Sequence, residues 1–109
     1  MAETRVVEGY VILTLAFHQE GRRWLGECVE LGTATHGANL QQTLHELKEL
    51  VLLHLNELED VGERPRFFAE HGIKLYPAQP RMVQLKLPVS DDNLIVAQAW
   101  PVHVPARAA

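Results

Sequence analysis

The 109-residue chain reads as an α+β domain, with one long helix laid on an antiparallel sheet. Three observations predict this. "GYVILTLAFHQEGRRWLGECVELG" alternates as two strands joined by a hairpin. "NLQQTLHELKELVLLHLNELED" repeats its leucines at helical spacing. The tail holds two strand-like runs, "MVQLKLPV" and "LIVAQAWPVHV", on either side of "SDDN". The predicted order is β-β-β-α-(α)-β-β-β.

The first strand runs over Tyr10 to Phe17. Val11, Leu13, Leu15 and Phe17 share one face, and Tyr10, Ile12, Thr14 and Ala16 share the other. Both faces are mostly apolar, as in a strand at the centre of a sheet. In "HQEGRR", Gly21 supplies a positive φ for the turn. The second strand spans Arg23 to Val29, and Gly26 leaves a gap where a helix or ligand can come close. "TATHG" is a short extended piece broken by Gly37.

Asn39 is placed as an N-cap, with Gln42 three residues on in capping-box position. The helix is expected over Leu40 to Glu59. Leu40, Leu44, Leu47, Val51, Leu55 and Leu58 form its stripe, and Leu50 and Leu53 widen it. A stripe this wide covers a sheet and leaves surface for a second contact. Gly62 ends the helix. "RPRFFAEHG" is a short second helix, with Pro65 in its first turn and Gly72 at its end. "IKLYP" is a strand closed by Pro77, and Pro101 demotes the last strand to an edge. Residues 1–77 form the main body, and 78–109 a C-terminal hairpin extension of the same domain.

The formal net charge is −4. Between Asn39 and Gly72 three basic residues face seven acidic ones, so the whole excess lies in the helical middle. Glu46, Glu49 and Glu57 there offer an acidic surface to a basic partner. An acidic chain lacks the clustered cations that neutralise DNA phosphates, which argues against DNA binding. The start "MAETRVVEGYV" has no apolar signal core, and the densest apolar run is too short and polar to cross a bilayer. Cytoplasmic residence is the expectation, without membrane association.

The chemistry-bearing residues are sparse. His45 and His54 lie nine apart on the helix, a wrong spacing for one ion, although Glu49 is four residues from His45. No CxxC or HExxH spacing occurs, so neither a metal nor another cofactor is expected. Cys28 stands between Glu27 and Val29, where flanking carboxylates raise a thiol's pKa. His36 reaches Cys28 only through an unusual bend. Glu27 and Glu30 have odd spacing, which on a regular strand sends them to opposite faces. Glu27, Cys28, Glu30 and His36 are the one cluster an RNA-cleaving enzyme could use. Arg22, Arg23 and Trp24, in "GRRW", are the one possible nucleic-acid contact, by phosphate neutralisation and base stacking.

"RWLGECVELGTATHGANLQQTLHELKELVLLHLNE" resembles the HicB family of antitoxins and its stand-alone relatives. Trp24, Gly26, Glu30, Leu31, Gly32, Thr35, Gly37 and Leu40 carry the resemblance, and Gly32, Gly37 and Asn39 mark its strand-turn-helix signature. "AEHGIKLYP" is similar to the segment that follows the helix in related small proteins. The resemblance spans residues 8 to 77. It implies a partial RNase-H-like β-β-β-α-β core, homodimers or higher homo-oligomers, and no catalysis. It also implies binding and neutralisation of a small RNA-cleaving toxin of the HicA type. Full antitoxins add a DNA-binding domain. Here Pro101 and Pro105 forbid the helices such a domain needs, so its absence is expected. The alternatives are a degenerate RNase-H-like nuclease and an RNA-binding protein.

Overall fold

The computed structural model describes residues 5–79, 84–90 and 93–105. Its elements are β1 (Arg5–Glu20), β2 (Arg23–Cys28), β3 (Thr33–Gly37), α1 (Leu40–Asp60), α2 (Arg64–Glu70), β4 (Gln84–Ser90) and β5 (Asn93–Pro105). The five strands form one sheet in the order β3-β2-β1-β5-β4, antiparallel at every ladder. The chain is α+β, with a long and a short helix beside an antiparallel sheet.

β1 is the central strand that its two apolar faces predict. Val11, Leu13, Leu15 and Phe17 are buried beneath α1, which contributes Leu47, Val51, Leu55 and Leu58. Val96, Trp100 and Val102 of β5 complete this layer. Gly21 has φ +60, while among the described residues no other type of residue has positive φ, so glycine holds the first central place of the β1–β2 turn.

Both helices end as their glycines predict. Gly62 and Gly72 have φ +73 and +65. The Glu63 N–H returns to the Leu58 carbonyl, and the Ile73 N–H to the Phe68 carbonyl, both at 2.9 Å. These six-to-one bonds satisfy carbonyls that a helix end leaves open. At the other end, Asn39 Oδ1 accepts from the Gln42 N–H at 2.8 Å. The return bond differs from a standard capping box. Gln42 Oε1 accepts from Ala38 N–H at 3.0 Å, one residue before the cap.

Two expectations need correction. "IKLYP" is not a strand: only Tyr76 pairs, in an isolated bridge with Tyr10 (2.8 and 2.7 Å). Ile73 is committed to closing α2, and the register of β1 shifts between Val7 and Gly9. The ladder does not continue on either side of this pair. The strand after the helices in the expected β-β-β-α-β core is reduced to this one contact.

Pro101 does not make the whole last strand an edge. β5 lies between β1 and β4 over Asn93–Gln98. Among the described residues, β5 has β1 alone beyond Gln98, and Pro101 falls in that stretch. Tyr10 already spends its N–H and C=O on Tyr76, on the far side of β1. The Tyr10–Pro101 pair is thus a non-hydrogen-bonded one, and the missing Pro101 N–H is not needed by the β1 ladder. The predicted turn between β4 and β5 includes Asp91 and Asp92, which lie outside the described residues, as do Met82 and Val83.

The register shift leaves Glu8 free to turn towards Arg64, at the start of α2. Arg64 also donates to Glu59 at 2.5 Å, and Arg5 spans both carboxylate oxygens of Asp60 at 2.7 and 3.0 Å. These pairs tie the start of β1 to the end of α1. Among the described residues, no helix is long and apolar enough to cross a membrane.

Candidate interaction site

The β2–β3–α1 unit is built around two close approaches. A Cβ on Gly37 would stand 2.6 Å from Thr43 Oγ1 and 3.1 Å from its backbone nitrogen. A Cβ on Gly26 would stand 2.9 Å from the Phe17 ring and 3.0 Å from Thr43 Cγ2. The gap expected at Gly26 is therefore filled by the helix and by Phe17, not by a ligand. Thr43 is fully buried although polar. Its hydroxyl donates to the Asn39 carbonyl at 2.8 Å, so burial leaves no orphan group. Leu40 and Leu44, expected in the helix stripe, are only partly buried and pack against the core.

Gly32 has φ +71, which fits the tight link from β2 to β3. Just before it, Glu30 is held by Thr14: the Thr14 N–H donates to Oε1 at 2.8 Å and its hydroxyl to Oε2 at 2.9 Å. The Val29 N–H donates to the Thr14 carbonyl at 2.9 Å. Glu30 thus occupies a backbone donor at the place where β2 leaves β1. The parity argument separating Glu27 from Glu30 does not reach this residue, because β2 ends at Cys28.

Cys28 and His36 do not meet. Cys28 is buried on the α1 side of the sheet. His36 pairs with Leu25, whose neighbours in register place it on the opposite face. The Cys28 thiol is pushed up to about 11 from 9.0. Burial is the main cause, and the Glu30 and Glu27 charges add to it. Backbone hydrogen bonds from Leu31 and Glu30 oppose the shift. Such a thiol is a poor nucleophile near neutrality.

This shift has a sign that can be measured. Above pH 9 the unfolded chain releases the thiol proton before the folded chain does. The contribution is therefore complete below 9 and fades as pH rises through 11. Its loss lowers stability by at most about 2–3 kcal/mol. Urea midpoints should fall more steeply over this range for the native sequence than for Cys28→Ala. Iodoacetamide should label native Cys28 far more slowly than the unfolded chain at about pH 8. Equal labelling rates would show an open thiol.

At the hairpin tip, Arg22 and Arg23 are exposed, while Trp24 turns to the core and packs against it. The arginines share a surface that the indole does not.

The acidic residues come together with apolar ones. α1 carries five carboxylates and one lysine. Glu46, Leu50, Leu53 and Glu57 recur every three or four residues, so they share one helix face. Thr35, Glu46, Glu49, Leu50 and Leu53 line a groove of about 360 Å³ between this face and β3. Leu53 is 54% exposed, a large aliphatic left in water at the groove wall. Two threonines brace β3 against α1: Thr33 Oγ1 lies 2.8 Å from His54 Nδ1, and Thr35 Oγ1 donates to Glu46 at 3.3 Å. His45 and Glu49 meet at 3.2 Å as their spacing suggests, in the open. Glu46 and Glu49 were legible as surface acids. The threonines of "TATHG" were not legible as their neighbours, since only packing brings a strand against a helix side.

No family model matches the chain, and neither a curated protein nor a solved structure shows significant similarity to it.

Proposed function

We propose that this chain is a non-catalytic interaction protein, similar to HicB antitoxins, that binds and neutralises a small basic RNA-cleaving toxin. One observation carries the reading: the long helix holds five carboxylates against one lysine and presents Glu46 and Glu49 beside exposed Leu53. Charge of one sign around an apolar strip suits recognition of a partner of opposite sign. The strand-turn-helix signature lends further support. Gly32 takes a left-handed φ, Gly37 admits Thr43, and Asn39 caps α1.

The same reading includes self-association into a homodimer or a higher homo-oligomer. Its support is the sheet face away from α1. There Ala16, Leu25, Ala34 and Ile95 line a hollow of about 470 Å³, which no described helix covers. Apolar surface of this kind is a frequent subunit contact.

The test is calorimetry of the purified chain against a basic protein encoded beside it. Binding in the submicromolar range that weakens as salt rises is expected. Absence of binding at low salt removes the antitoxin reading. Light scattering of the chain alone at micromolar concentration should give at least twice the monomer mass, and a monomer mass removes the oligomer.

A further inference from the structure

β3 is the outer strand at one end of the sheet. Which of its backbone groups point outward follows from the ladder. The Val29 N–H and the Thr14 carbonyl meet, so odd-numbered residues of β2 direct their backbone groups to β1. Even-numbered residues of β2 then serve β3. Their partners are Gly37 opposite Trp24, Thr35 opposite Gly26 and Thr33 opposite Cys28. These three spend their N–H and C=O on β2. Ala34 and His36 are left with theirs facing outward, without a strand partner among the described residues.

Natural edge strands are blunted by lysine, proline or a bulge. β3 has none of these over Thr33–Gly37, and its ladder to β2 is regular. Beside the open edge runs the groove lined by Leu50, Leu53, Glu46 and Glu49. An added strand would point every second side chain at that wall. Aliphatic side chains would cover Leu50 and Leu53, and cationic ones would meet Glu46 and Glu49.

We propose that β3 is a docking edge, where an extended segment of a basic protein partner adds a sixth strand to the sheet, its groove-facing side chains (every second residue) including both aliphatic and Lys or Arg residues. Main-chain hydrogen bonds to Ala34 and His36 hold it, and the groove selects its side chains. A second copy of the chain fits less well. Pairing β3 with itself about a two-fold axis sets Glu46 and Glu49 near the same residues of the other copy, so like charges face each other. The proposal rests on the partner-binding reading above and gives it a location.

The test uses the whole chain and a fluorescent peptide repeating Leu-Ser-Lys-Ser, which sets leucine and lysine in turn on one strand face, with a Leu-Ser-Glu-Ser peptide as counterpart. Anisotropy should rise with the lysine peptide only. Amide exchange followed by NMR should slow at Ala34 and His36 and not at solvent-facing amides elsewhere. Ala34→Pro removes an outward N–H and keeps the β2 ladder, and should weaken binding about tenfold or more, as for a lost strand hydrogen bond in a tight site. Should that variant unfold, Glu49→Lys on the exposed helix surface is expected to cause a similar loss. Three results overturn the proposal: no binding, binding without protection of Ala34 and His36, or concentration-dependent protection without peptide, which assigns the edge to a second copy. A basic neighbour that binds while leaving both amides unprotected overturns the docking edge alone. Peptide binding at the edge with no binding by that neighbour removes the antitoxin reading alone.

Discussion

Phe17→Ala is expected to destabilise the chain by about 3–5 kcal/mol, a large share of the roughly 5–15 kcal/mol available to a domain. Phe17 is 1% exposed and sits on the central strand. Its ring lies over Gly26, close enough that a Cβ there would stand 2.9 Å away, and Leu94 of β5 is its register partner on the other side. Glycine opposite the ring has no side chain of its own to fill the space. The cavity left by truncation stays open, which puts the cost at the upper end of the range for core aromatics. Val29→Ala serves as the control. Val29 is 56% exposed, and its truncation should change stability by about 0.5 kcal/mol or less. Urea denaturation of both variants measures the difference. A cost below about 1 kcal/mol for Phe17→Ala would mean that the β1–α1 layer is not packed as described.

The second large effect is expected at Gly37. Gly37→Ala places a methyl 2.6 Å from Thr43 Oγ1, and also 3.1 and 3.3 Å from the Thr43 backbone nitrogen and Cα. A rotamer change of Thr43 relieves only the first contact. The first turn of α1 must then move off β3, at a cost of about 1–3 kcal/mol, and Gly37→Val should cost more. Combining Gly37→Ala with Thr43→Ala should recover part of the loss, giving a coupling of about 1 kcal/mol for residues in contact. Gly21→Ala is the useful contrast. Nothing lies within 4 Å of its Cβ position, so its cost arises from φ +60 alone, at about 1 kcal/mol. Thermal melts of the set separate a glycine needed for space from one needed for its backbone angle. Additive losses at Gly37 and Thr43 would remove the close approach as the explanation.

Much of this fold was legible in local pattern. The alternation of Val11, Leu13, Leu15 and Phe17 reports a strand because side chains alternate faces, whatever covers them. Asn39, Gly62 and Gly72 report helix ends because capping acts within a few residues. "IKLYP" misled for a matching reason. Its composition suits a strand, but whether a strand forms depends on a partner ladder. Here β1 offers a single pair at Tyr10, beside an irregular register. Thr43 was overlooked because a threonine in a leucine stripe looks like the polar boundary of the helix. It lies at the centre, since only a short side chain fits over Gly26 and Gly37.

The site followed the same division. Glu46, Glu49 and Glu57 stood out from the charge distribution, and Leu50 and Leu53 from the width of the stripe. That they line a groove beside an unpartnered strand depends on the sheet order, which brings segments distant in sequence together. The sequence by itself determined the element types other than that of "IKLYP", the helix ends, the two faces of β1 and the placing of the negative charge. Each of these is set within one turn or one strand, by propensity, capping and periodicity. The tertiary structure alone decided that β5 sits beside β1, that Glu30 closes onto Thr14, that Cys28 and His36 lie on opposite faces, and that Ala34 and His36 keep outward backbone groups. Those outcomes depend on which strands pair and in what register, and long-range pairing has no signature within a single segment.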